Sequence, residues 1–181
     1  MCGRRDGALM LDNASGLLDR LRPGPVVEKE DTVEKVDNVW DFFDKFYCIS
    51  LKEREDRRRS ARGEFLKVGL ADRVEFVLGD RLPYDIEQQI YESHMACLRK
   101  GLESGAQSVV IFEDDVEFER FDRKRLSNCI QFLRRHPDWK VLLLGALIRS
   151  SSKTDHPCVQ RVRYQSLTHA YALNRHYAQE L

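Results

Sequence analysis

Three adjacent carboxylates, Glu113, Asp114 and Asp115, directly follow the wholly apolar run Val109-Val110-Ile111-Phe112. A short apolar run of this kind reads as a buried strand. The acidic residues then leave it at its carboxyl end, which is where open α/β sheets place their ligands. Neighbouring carboxylates repel one another unless they share a cation. Hard divalent ions such as Mg²⁺ and Mn²⁺ take oxygen ligands, and Mg²⁺ in particular is often held by one or two carboxylates together with substrate phosphates. The predicted chemistry is therefore a metal-bridged diphosphate. The competing expectation is a solvated acidic turn that caps the next helix, with Glu117 and Glu119 continuing the charge. An isolated acidic triplet favours that second outcome, because short motifs recur by chance, so the rest of the chain has to decide.

The elements that would position this cluster alternate along the chain. Phe46 to Leu51 is an aromatic and β-branched run of strand length. A charged segment follows in which Ala61, Phe65 and Val68 recur at helical spacing, and Gly69 supplies its stop. Val74 to Leu78 predicts a second strand, so the three elements form a βαβ unit with parallel strands. Tyr91, Met95, Leu98 and Leu102 line one face of a second helix that ends near Gly105. After the acidic strand, Asp122 is a helix N-cap, Leu126, Cys129, Ile130 and Leu133 form a buried stripe, and His136-Pro137 closes the helix. Lys140 to Leu144 is a further strand, Val162 to Tyr164 and Leu167 to Leu173 are two weaker ones, and Asn174 opens a last helix. The predicted class is α/β, a mostly parallel sheet flanked by helices.

At 181 residues the chain is long enough for one domain with a substantial core. Residues 1–40 differ from the rest: a short amphipathic stretch runs into Arg22-Pro23-Gly24-Pro25 and then mixed charge, which predicts a poorly ordered N-terminal extension ahead of a domain over 41–181. Basic and acidic residues balance at 30 each, which gives no reason to expect nucleic acid as a partner. Cys2, Cys48, Cys97, Cys129 and Cys158 are odd in number and show no C-x-x-C spacing, so they read as reduced thiols rather than a zinc site or disulfide framework. No apolar run reaches the ~20 residues of a membrane span. No secretory signal pattern opens the sequence, and the expected compartment is the cytoplasm.

Five segments, taken in order, resemble glycosyltransferase family 25, the lipooligosaccharide-biosynthesis family that also includes collagen galactosyltransferase domains. They are CISLKEREDRRRS at 48–60, ESHMACLRKGLESG at 92–105, VVIFEDDVEF at 109–118, WKVLLLGA at 139–146 and THAYALNRHYAQEL at 168–181. The resemblance runs from about Phe46 to the end of the chain. It implies a GT-A-like fold of the nucleotide-diphospho-sugar transferases, a UDP-hexose donor such as UDP-galactose or UDP-glucose, Mn²⁺ (or Mg²⁺) as cofactor, and inverting transfer to a saccharide or hydroxylysine-type acceptor. By similarity Asp114 and Asp115 are the metal ligands. Ser50, Leu51, Arg54, Arg57, Ser93, His94, Glu113 and Asp114 lie around the donor. The segment Thr168 to Tyr171 matches a strand on the acceptor side, where His169 is either functional or a packing residue. Through the family, an endoplasmic reticulum lumen or a membrane-associated setting also stays open.

The chain departs from the family pattern at several points. Ser50 stands where Asn is usual, Gly79-Asp80 replaces Asp-Gly, Gln89-Ile90 replaces Gly-Cys, and Lys140 replaces an acidic residue. Family members also continue past the position of Leu181, so the domain is expected to be incomplete at its C-terminus. No carboxylate stands out as the base that an inverting transfer requires; Asp155 and Glu180 are the nearest candidates. Two classes of function follow: a metal-assisted hexosyltransferase, or a noncatalytic sugar-nucleotide-binding or scaffold module derived from one.

Overall fold

The computed structural model describes residues 8–11, 38–81 and 85–181. The strands are β1 (Ala8–Leu11), β2 (Lys45–Leu51), β3 (Val74–Gly79), β4 (Ser108–Glu113), β5 (Val141–Lys153) and β6 (Val159–Asn174). The helices are α1 (Glu55–Val68), α2 (Ile86–Glu103), α3 (Arg123–Arg135) and the short α4 (Arg175–Ala178), with a 3-10 turn at Val39–Phe42. The six strands among the described residues join one sheet in the order β1-β5-β6-β4-β2-β3.

The sheet is mixed, which corrects the expectation of a mostly parallel one. β2 runs parallel to both β3 and β4, as a βαβ unit dictates. β6, however, is antiparallel to β4, to β5 and to β1. The physical reason is the connection between β5 and β6. Only five residues separate Lys153 from Val159, too few for the crossover that parallel neighbours need, so the two strands form a long hairpin. The two weak strands expected over 162–173 are one continuous strand. It is marked only by Leu167, whose φ of 53° is left-handed, and by register shifts along its pairing with β5.

Period-two alternation sorts the central strands onto two cores. Phe46, Cys48, Val110 and Phe112 point to the face covered by α1 and α3, where they meet Ala61, Phe65, Leu126 and Cys129. Tyr47, Val109 and Ile111 point to the other face and pack with Cys97 and Leu98 of α2 and Ala178 of α4. β4 is thus buried on both sides, as its unbroken apolar sequence predicts. α2 lies so close to it that a Cβ on Gly101 would collide with Val109.

The caps follow the sequence. Asp122 accepts from the Arg125 amide at the start of α3, and Gly69, at φ 77°, closes α1 in the left-handed conformation that glycine adopts without strain. Most of the extension expected over residues 1–40 lies outside the described residues. Within it, Ala8–Leu11 is strand, while Val39 and Trp40 belong to the core, with Trp40 Nε1 donating to the Val68 carbonyl at 3.0 Å. Cys48, Cys97, Cys129 and Cys158 are free thiols, and Cys2 is outside the described residues. Among the described residues, no helix is long and apolar enough to cross a membrane.

Candidate metal and phosphate site

Strand register brings the site together. Ile49 of β2 lies opposite Glu113, and Ala170 of β6 lies opposite Phe112. Ser50 and His169 therefore flank the point where β4 ends, one from each neighbouring strand. The Val116 amide donates to the Glu113 carbonyl at 3.2 Å, closing a turn that carries Asp114 and Asp115. Glu64 of α1 accepts from the Phe118 amide at 3.0 Å and holds the following loop against the helix.

The three carboxylates point to different neighbours. Asp114 turns inward and is only 8% exposed. Its Oδ2 accepts from Ser50 Oγ at 2.7 Å, and its Oδ1 accepts from Arg57 at 3.1 Å. Ser50 is itself buried, and Arg58 donates to its hydroxyl at 3.3 Å and to the carbonyls of Leu51 and Lys52. This places Arg58 as the fastener of the β2 exit, a role that the sequence, where it is one of many arginines, does not single out. Asp115 and Glu113 face the opening. Asp115 Oδ1 lies 3.3 Å from His169 Nδ1 and Glu113 Oε2 lies 3.7 Å from the same nitrogen. Ligand atoms of Glu113, Asp115 and His169 all fall within 4.8 Å of one another.

Two carboxylates and one imidazole are a donor set that could hold a divalent cation. Burial, and next to it the charge of Asp115, push the Glu113 carboxyl above its ordinary range. Arg57 supplies a fixed positive charge beside the turn, reaching Asp115 at 3.6 Å in addition to Asp114. Of the two expected metal ligands, Asp115 belongs to the triad. Asp114 instead bonds Ser50 and Arg57, and the side chains beside Asp115 that could share an ion with it are Glu113 and His169. His169, whose role sequence reasoning left undecided, lies 54 residues from Asp115 and reaches it only through β6 pairing.

The other expected donor residues divide. Leu51 ends β2 beside Ser50. Arg54 is paired with Asp56 at 2.7 Å. Ser93 donates back to the Gln89 carbonyl within α2, at 2.9 Å. It borders an open cleft of about 360 Å³ between α2 and the end of β3, lined among others by Val77, Gly79 and Arg99. His94 lies 2.8 Å from the Tyr171 hydroxyl through Nδ1, and its Nε2 is 3.9 Å from Glu113. Burial lowers the His94 pKa and raises that of Tyr171, so at neutral pH both are uncharged and act as a dipolar wall behind Glu113. A larger concavity, about 530 Å³, lies at the opposite end of the sheet around Asp44, Ser108, Trp139 and Arg175, and none of the triad lines it.

The fold and site together define an α/β protein with a mixed sheet flanked by helices, compatible with a Rossmann-like arrangement, whose strand ends carry a possible carboxylate and histidine metal site. No family model matches the chain.

Proposed function

We propose that this chain binds a nucleotide-sugar donor through a divalent metal and belongs to a hexosyltransferase of GT-A type, transferring galactose or glucose from UDP to an acceptor hydroxyl with inversion. The observation that carries this reading is the convergence of Glu113, Asp115 and His169 at the carboxyl end of β4, with Arg57 alongside. The ordered resemblance of five segments to glycosyltransferase family 25 supports it. A bound Mn²⁺ would supply Lewis-acid stabilisation of the departing nucleoside diphosphate, worth several kcal/mol in general. The protein's own contribution is orientation. Ser50 and Arg58 fix the β2 exit, Asp114 anchors the acidic turn, and Arg57 offers a guanidinium suited to bidentate contact with phosphate.

The placement of Asp155 and Glu180, the two carboxylates expected as bases, favours a donor-binding module without transfer activity as the second reading. Glu180 pairs with Lys140 and His176 beyond the far end of β6, and the hairpin tip bearing Asp155 packs on α3 through His156 and Cys158. Binding and hydrolysis of UDP-galactose and UDP-glucose should be measured with Mn²⁺ and with chelator, on wild type and Asp115→Ala. Metal-dependent binding abolished by the substitution supports the site; donor turnover in addition supports the enzyme, and binding without turnover supports the module. Donor binding indifferent to both metal and substitution overturns the proposal.

A further inference from the structure

Arg57 occupies a position with two opposing consequences. It projects from the first turn of α1, and one guanidinium nitrogen reaches Asp114 at 3.1 Å and Asp115 at 3.6 Å. Asp114 does not depend on it alone, because Ser50 binds the other oxygen at 2.7 Å and Arg58 holds Ser50 in turn. Among the described residues Asp115 has no such second anchor; its other close polar neighbours are His169 and Glu113. The Arg57 side chain is 41% exposed, so it has room to leave the carboxylates without unpacking the core.

We propose that Arg57 is a built-in counter-ion that holds the carboxylate of Asp115 when the site is empty and transfers to the diphosphate when metal and nucleotide arrive together. This inference rests on the metal and diphosphate reading above and adds the coupling between the two ligands. A fixed positive charge beside the triad repels an incoming dication and competes for Asp115, so Mn²⁺ alone binds weakly. A diphosphate reverses the balance by offering the planar guanidinium a multiply charged partner with anionic oxygens placed for bidentate contact. Metal and nucleotide therefore bind with positive coupling, each favouring the arrangement the other needs.

The test is equilibrium binding to the full chain, with Mn²⁺ alone as one probe and UDP at saturating Mn²⁺ as the other. Arg57→Gln is expected to bind Mn²⁺ about two- to fivefold more tightly, the size of a partly exposed ion pair. The same variant is expected to bind UDP about tenfold or more weakly, since a charge-assisted contact to phosphate is lost. Arg57→Lys, which keeps the charge, should stay near wild type for Mn²⁺ alone. Raising the salt concentration should shrink the Mn²⁺ difference. Opposite signs for the two probes support the inference. Weakening of both overturns it, because Arg57 would then be a structural brace, and so does an unchanged Mn²⁺ affinity. A wild-type protein that binds no Mn²⁺ with or without UDP instead overturns the reading on which the inference rests.

Discussion

Replacing Asp114 separates the two jobs that adjacent carboxylates perform in the acidic turn. The Ser50–Asp114 bond is buried at both ends, at 3% and 8% exposure, and 2.7 Å long. A buried hydrogen bond to a charged group is worth about 1.5–3 kcal/mol. The contact to the half-solvated Arg57 adds at most about 1 kcal/mol. Asp114→Ala should therefore cost about 2–4 kcal/mol, or about 5–15 °C in melting temperature for a chain of this size. Asp114→Asn keeps an oxygen for Ser50 and should cost less. Asp115→Asn loses only exposed contacts and should change stability by less than about 1 kcal/mol. The metal readout reverses the order: Mn²⁺ binding survives Asp114→Asn and is lost in Asp115→Asn. Thermal and urea unfolding give the first comparison, and calorimetric titration of Mn²⁺ into the folded variants gives the second. An Asp114→Ala protein that melts with wild type refutes the burial account, and loss of Mn²⁺ binding in a well-folded Asp114→Asn makes Asp114 a ligand after all.

Two further predictions test the electrostatics and the packing. Glu113 has its pKa raised from the ordinary 4.5 by burial and Asp115, so its contribution to stability is complete below that value and lost as pH rises through the higher folded value. Without metal, Glu113→Gln should consequently melt above wild type at neutral pH, with the gap closing on acidification toward the ordinary glutamate range; a constant gap, or a variant less stable at neutral pH, contradicts this. Gly101→Ala should destabilise by about 1–3 kcal/mol in urea melts, since the new methyl group meets Val109 of the central strand and overpacking outweighs the gain in helix propensity. A neutral or stabilising effect would mean that α2 stands farther from β4 than described.

The parts of this molecule that are legible in its sequence are those set by local periodicity. The buried strand before Glu113, the N-cap at Asp122 and the glycine stop at Gly69 each follow from a few neighbouring residues. What the sequence does not display is pairing between distant strands. His169 enters the site because β6 lies antiparallel beside β4, and nothing in its local pattern distinguishes a ligand from a packing residue. The same non-local choice decides which carboxylate turns inward: Asp114 is drawn to Ser50 by the β2 register, leaving Glu113 and Asp115 for the opening. The mixed sheet was equally hidden, because a five-residue connection after Lys153 reads as a hairpin only when both flanking strands are taken as continuous. Trp40 illustrates the converse error. Its charged surroundings mask a side chain that is buried against α1 and Phe121.

Anomalous diffraction from crystals equilibrated with Mn²⁺ and UDP tests most directly whether Glu113, Asp115 and His169 hold one divalent ion beside Arg57. A single manganese peak within coordination distance of all three side chains, with the diphosphate next to the Arg57 guanidinium, is the predicted result. A metal bound through Asp114, or UDP seated with no ion at the end of β4, would contradict the account.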